Sequence, residues 1–196
     1  MYEKLNINDK CLLVLSLFSR GFNKEYHVRE IQRILNIGLG TVQSVLKLLE
    51  KRTVLRSRNV GRSKVYTINK TEISRFYFVM TEAYKATVFI AKNALIREVI
   101  EAITPHIHSI GLVFGSYAKG LEKEGSDLDV FIVGKYDKEK IDEIGKRYGL
   151  DINIKSYPAK IFYNEMGKDI LITEVLNDHI AFKGIDELMY AVFNYG

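Results

Sequence analysis

The 196-residue chain has one cysteine, two prolines and no tryptophan. A single thiol, Cys11, excludes an internal disulfide. Its place in an apolar helical stretch predicts a buried, unreactive side chain. No apolar run approaches the ~18–20 residues that a membrane-spanning helix needs. Glu3, Asn6, Asn8 and Asp9 interrupt the N-terminus, so no signal-peptide layout is present there. Together these absences predict a cytoplasmic protein that does not engage a membrane. His106 and His108 alternate ahead of a strand-like run, but no His or Cys follows at zinc spacing. Surface or packing roles are expected for both. Internal repeats and low-complexity segments are also lacking.

What is present is charge, unevenly spread. The net charge of +5 divides into +9 over residues 1–70 and −4 over residues 71–196. Such asymmetry suggests a basic nucleic-acid module joined to something else, with a merely solvated basic surface as the alternative.

Hydrophobic periodicity gives the elements. Asp9 can cap a helix to about Ser19, ended by Gly21. A second helix is expected over 28–36, with Val28, Ile31, Ile34 and Leu35 on one face. Ile37-Gly38-Leu39-Gly40 reads as a tight connection, and Thr41 as the cap of a third helix to about Arg52. Two strand-like runs, 54–58 and 64–68, flank Asn59-Val60-Gly61-Arg62, a good hairpin turn. Thr71-Glu72 opens a long helical stretch that must end before Pro105. It reads as a linker helix over 71–104, with a homodimer contact as the sharper alternative.

After Pro105 the period changes to that of strands. Residues 110–114 and 127–133 read as strands, 138–148 as a helix, and 151–156 as a third strand. Residues 158–177 look mostly helical, with a short strand around 180–182 and a last helix from about Asp186. The fold class expected is α+β: a module over 1–70, the linker, and a second domain over 105–196 with a small mixed sheet flanked by helices.

The chemistry concentrates between Leu112 and Val133. Gly115-Ser116 falls where a strand ends. A glycine there lets backbone approach a ligand, and Ser116 offers a hydroxyl and an N–H to phosphate oxygens. Asp127 and Asp129 are two apart on a strand, so both carboxylates point to one face, ~7 Å apart along the chain. Leu128 and Val130 take the opposite, core-facing side. Two such carboxylates suit Mg²⁺, which favours one or two carboxylates plus substrate phosphates.

The order strand, Gly-Ser, ten residues, Asp-hydrophobic-Asp, apolar strand end resembles the DNA polymerase β-type nucleotidyltransferase superfamily. The likeness is to its minimal nucleotidyltransferase, antitoxin-like branch, over roughly residues 93–196. The family pattern G-S-x-A-x-G followed by S-D-x-D is matched at Gly115, Ser116, Ala118, Gly120, Ser126, Asp127 and Asp129. Lys119 stands where Arg is usual, keeping the charge and losing bidentate geometry.

The resemblance implies two Mg²⁺ ions on Asp127 and Asp129, and an ATP or other NTP held by Gly115, Ser116, Lys119 and Ser126. It also implies a third carboxylate on a neighbouring strand that helps bind one metal and activates the attacking hydroxyl, for which Asp151 is the candidate. The activity implied is transfer of a nucleotidyl group, AMP from ATP, to an acceptor. Minimal nucleotidyltransferases of this kind are often antitoxins that modify a partner toxin, commonly of the HEPN class, which makes a toxin-type protein an expected partner. The HEPN spacing of Arg to His also occurs at Arg20 and His27, but Gly21 breaks the helix that motif needs.

Helices 28–36 and 41–52 with their short joint, followed by the hairpin, follow the winged helix-turn-helix plan. They resemble the winged-helix domains of prokaryotic transcription regulators. That resemblance implies double-stranded DNA as partner, with Thr41, Gln43, Ser44 and Lys47 toward the major groove. Arg56, Arg58, Arg62 and Lys64 crowd the hairpin, where phosphate or minor-groove contact is expected. A second reading of the chain remains: a DNA-binding regulator whose nucleotidyltransferase domain only senses nucleotide.

Overall fold

Between Thr81 and Glu82 the chain divides into two units, in a computed structural model that describes residues 7–196. The architecture is a mixed α+β one. The division falls inside a helix, and each unit has its own sheet.

The first unit contains helices α1 (Asp9–Phe18), α2 (Val28–Leu35) and α3 (Leu39–Lys51). It also contains strands β1 (Tyr26–His27), β2 (Leu55–Val60) and β3 (Ser63–Ile68). The strands form one antiparallel sheet in the order β1-β3-β2. Three local expectations are corrected. Asn8, not Asp9, caps α1, its side chain accepting the Cys11 N–H at 3.1 Å. Such a cap contributes ~1 kcal/mol. α3 starts two residues before Thr41, because Gly38 is the N-cap and Val42 N–H already bonds the Gly38 carbonyl at 3.1 Å. The hairpin is longer than expected: Asn59 pairs with Lys64 and Val60 with Ser63, leaving Gly61 and Arg62 as the turn. β1 is too short for any periodicity to reveal. Cys11 is buried and free, and Ile31 is fully buried, but Ile34 is half exposed.

The long helical stretch is two helices, α4 (Glu72–Lys92) and α5 (Ala94–Ile103). Asn93 leaves helical geometry, and its side chain accepts the Ile96 N–H at 3.1 Å. Asn competes with helix interiors in this way, offering the backbone a cap instead. Pro105 lies in a 3₁₀ turn over Thr104–His106. The start of α4 buries a different face from the one its apolar residues suggest. Ile73 and Phe76 are exposed, while Ser74, Tyr77 and Phe78 are buried. Polar partners explain the shift: Ser74 Oγ donates to the Val54 carbonyl at 2.9 Å, and Arg52 donates to the Tyr77 hydroxyl at 2.7 Å.

The second unit carries β4 (Ile110–Val113), α6 (Gly115–Lys119), β5 (Leu128–Val133), α7 (Lys138–Tyr148) and β6 (Ile152–Tyr157). They are followed by α8 (Ala159–Glu165), α9 (Ile170–Asn177), β7 (Ile180–Lys183) and α10 (Ile185–Tyr195). The sheet order is β6-β5-β4-β7, with β5 and β6 parallel and the other pairs antiparallel. Val113, Leu128, Val130 and Ile132 join α5 and α7 residues such as Val99, Ile103, Ile141 and Ile144 in one core. Parallel pairing needs a crossover, and α7 supplies it.

The opposite face of β5 is not outward along its length, as the alternation suggests. Phe131 is fully buried there, its ring centroid 5.6 Å from that of Tyr157 and 6.1 Å from that of Phe162. Along this face Asp127 is exposed, Asp129 half-buried and Phe131 buried. The carboxylates therefore sit at the mouth of an aromatic layer. None of the helices among the described residues is long and apolar enough to cross a membrane.

Candidate active site

β4 ends at Val113, and Phe114 continues the pairing by donating its N–H to the Asp129 carbonyl at 3.0 Å. The chain then turns at Gly115, whose φ is +70°. Only glycine adopts this conformation without a steric penalty. A Cβ at Gly115 would also collide with Asp129 Oδ2 and lie 3.0 Å from its Cγ. Gly115 is thus required twice, for its backbone and for the space the carboxylate fills. The Gly-Ser pair and the Asp-x-Asp pair, separated in sequence, are packed together here.

Ser116 is half-buried in the first turn of α6, and its carbonyl accepts from Leu121 N–H at 2.9 Å. Lys119 is exposed at the end of α6, where Gly120 in the left-handed region closes the helix. Tyr117 turns inward, and its hydroxyl donates to the Ser126 carbonyl at 3.4 Å. Burial pushes its phenol above the ordinary range. The hydroxyl of Ser126 accepts the Lys123 N–H at 2.8 Å, and Ser126 N–H donates to the Lys123 carbonyl at 3.0 Å. Ser126 therefore closes the loop that delivers Asp127.

Asp151 is exposed and immediately precedes β6, its carbonyl accepting from Leu128 N–H at 2.8 Å. The register pairs Leu128 with Ile152 and Asp129 with Asn153. Asp151 therefore sits at the Asp127 end of the strand pair, while the residue beside Asp129 is Asn153. Its Nδ2 donates to Asp129 Oδ1 at 2.9 Å. Among the described residues no three His, Cys, Asp or Glu side chains gather as a metal-binding set. Asp127 and Asp129 form no ion pair among those residues.

A cleft of about 410 Å³ borders the strand ends, lined by Asp127, Asp151 and Asn153 from the sheet and by Asp142 and Lys146 from α7. Sequence reasoning missed Asn153, Asp142 and Lys146. The signals were present: Asn153 shares the alternation phase of Asp151, and Asp142 and Lys146 are one helical turn apart.

In the first unit, Gln43, Ser44 and Lys47 lie exposed along α3, with Thr41 half-buried. Arg56, Arg58, Arg62 and Lys64 are exposed on the hairpin, but they are not equivalent. Arg58 holds Glu25 through two hydrogen bonds, at 3.1 and 2.5 Å. The bonded guanidinium keeps the Glu25 carboxyl below its ordinary range. Lys64 holds Glu50 at 2.8 Å, lowering that carboxyl with help from Ser57 Oγ. Arg56 and Arg62 form no ion pair among the described residues. Arg62 and Lys64 border a cleft of about 590 Å³ together with Arg29, Arg33 and Gln43. Arg29 and Arg33 were not anticipated, although their four-residue spacing places both on one face of α2.

Comparison with known proteins falls on the second unit. The model of a family described as "Nucleotidyltransferase domain" matches residues 96–182. A protein of Methanocaldococcus jannaschii named "Putative protein adenylyltransferase" is 41% identical over 71 residues, which are 34% of this chain and 70% of that protein. No solved structure gives a significant match. The family match runs across β4, β5 and β6, the three strands from which the Gly115–Asp129 contact and its neighbours are built, and this chain belongs to the nucleotidyltransferase family.

Proposed function

We propose that this nucleotidyltransferase moves AMP from ATP to a protein acceptor in a Mg²⁺-dependent reaction, and that its first unit is a winged helix-turn-helix that binds double-stranded DNA. The observation that carries the first part is the Gly115–Asp129 packing. It sets a phosphate-approachable turn directly against a carboxylate. The donor set, two hard carboxylates on one strand face, fits Mg²⁺ shared with a triphosphate. When bound, the metal supplies neutralisation of the triphosphate charge.

The chain's own residues do the rest. Gly115 and Ser116 receive phosphate oxygens, with Lys119 at the end of the same short helix. Asp127 and Asp129 hold the metal. Asp151, exposed at the same strand end, is the group to take the acceptor's proton. The acceptor oxygen bonds to the α-phosphorus, the bond to the bridging oxygen breaks, and pyrophosphate leaves. The name of the Methanocaldococcus jannaschii relative supports a protein as acceptor. A toxin-type chain is the partner this reading favours.

The full-length protein, ATP labelled at the α-phosphate, Mg²⁺ and candidate partner proteins test this reading. Label should enter a protein, and Asp127→Asn or Asp129→Asn should each cut the rate about 10³-fold, the equivalent of several kcal/mol of lost charge stabilisation. Labelling that survives both substitutions overturns the assignment. Nucleotide binding without transfer would turn the site into a sensor.

Support for the second part is the helix, short turn, helix and hairpin order, with the basic cleft beside it. DNA affinity should fall steeply with salt, as phosphate contacts release counterions. Binding that ignores salt would overturn it.

A further inference from the structure

Asp129 is held on both sides. One carboxylate oxygen, Oδ2, packs against Gly115 where no Cβ could fit. The other, Oδ1, accepts a hydrogen bond from Asn153 Nδ2 at 2.9 Å. Asn153 is the residue that the parallel register sets directly beside Asp129. Register partners in adjacent strands present side chains to the same face. Asn153 therefore occupies the position from which a carboxylate would add to the acidic set, and it brings an N–H donor there instead. Its side chain is exposed, on a strand at the sheet's edge, so no packing demand explains an amide at this point.

Resting on the metal-dependent reading above, we infer that Asn153 is a positioning residue that orients the Asp129 carboxylate while withholding a third negative charge, so that the protein without nucleotide binds a divalent cation on two carboxylates only. The amide does two things. It fixes one Asp129 oxygen, leaving the carboxylate a single orientation. It also keeps the acidic set small, so tight metal loading depends on the charge that a triphosphate brings. Partners that hydrogen-bond a metal-binding carboxylate orient it in this way, and the ligand charge count tunes affinity.

The test is a titration of the full-length protein with Mn²⁺, followed by electron paramagnetic resonance without nucleotide. Asn153→Ala should bind Mn²⁺ about tenfold more weakly than wild type, in the range for loss of a hydrogen-bonding partner. Asn153→Asp should bind about tenfold more tightly, because a ligand charge is added. Asn153→Val, a strand-favouring replacement without a donor, repeats the first arm if the alanine variant fails to fold. An unaltered affinity in the donor-less variants, or an aspartate variant no tighter than wild type, overturns the inference. Asp127→Asn and Asp129→Asn separate the two levels. If both bind Mn²⁺ as wild type does, the metal site itself is wrong and the inference falls with it. If both lose binding while the Asn153 variants behave as wild type, the metal site stands and only the role of Asn153 fails.

Discussion

The hairpin of the first unit and the strand ends of the second both display charge, but they handle it differently. On the hairpin, Arg58 and Lys64 are each tied to a carboxylate, Glu25 and Glu50. At the strand ends, Asp127 and Asp129 pair with no cation among the described residues, and Asp129 is steadied by a neutral amide and a glycine. Charges neutralised locally are committed to the fold. Charges held in place by neutral groups keep their field for a ligand. Arg62, Arg29 and Arg33 form no ion pair among the described residues and in that respect resemble the aspartates, whereas Arg58 and Lys64 do not.

The largest effect expected from breaking this arrangement is at Gly115. Gly115→Ala places a methyl group where Asp129 Oδ2 lies and demands a left-handed alanine. The carboxylate must move, and a displacement of about 1 Å at a reacting centre costs about 10²-fold in rate. The left-handed backbone adds ~1 kcal/mol of instability. A large rate loss with a melting temperature lowered by only about 2–4 °C is the expected outcome. Unchanged transfer would show that Asp129 has freedom the packing denies it.

A buried example sharpens the contrast. Glu82 is fully buried, with Lys85 Nζ at 2.8 Å and His179 Nε2 at 3.2 Å. Burial pushes its carboxyl up, but the charges and hydrogen bonds of Lys85 and His179 outweigh burial and hold it at about 2, against an ordinary 4.5. A depressed folded value stabilises the protein above the unfolded value and loses that contribution as pH falls. Denaturant titrations should therefore show a component of stability fully present above pH 4.5 and lost on the way down to about pH 2. Glu82→Ala should remove about 3 kcal/mol at neutral pH, because it breaks the ion pair of a fully buried carboxylate. A flat profile between these pH values would show that the group does not hold its charge in the fold.

On the DNA-binding reading, Arg62→Ala should lower the salt slope of binding by about one counterion and weaken affinity at every sequence alike. Arg58→Ala should do less, since its guanidinium already serves Glu25. Equal effects would erase the distinction between paired and unpaired cations.

Much of this was legible in the sequence, for identifiable reasons. Strand alternation set Asp127 and Asp129 on one face, and Asp137 and Gly149 bracket α7, expected and found over 138–148. The register of β6 against β5 was not legible, because it depends on where a crossover helix delivers the next strand. Asp151 was therefore named as the neighbour of the pair, while Asn153 is the one bonded to Asp129. The face that α4 buries was only partly legible, because Ser74 is buried through a hydrogen bond to the Val54 carbonyl, which apolar periodicity does not register. The ion pairs on the hairpin join residues 14 and 33 positions apart, beyond any local pattern.

The smallest effect is also the most discriminating. Glu25→Gln removes the partner of Arg58 without removing the cation. Both groups are largely exposed and screened by solvent, so the pair adds little to stability and the fold should barely notice its loss. If local neutralisation is what keeps Arg58 from DNA, the variant should bind DNA more tightly and with a salt slope steeper by about one. Arg58→Ala in that background should then cost more than it does in wild type, and this non-additivity measures the coupling between Glu25 and the phosphate backbone. Titrations at several salt concentrations, with wild type, both single variants and the double, decide the matter. Strict additivity would mean that Glu25 does not govern the access of Arg58 to DNA, and that local neutralisation is not what separates Arg58 from Arg62.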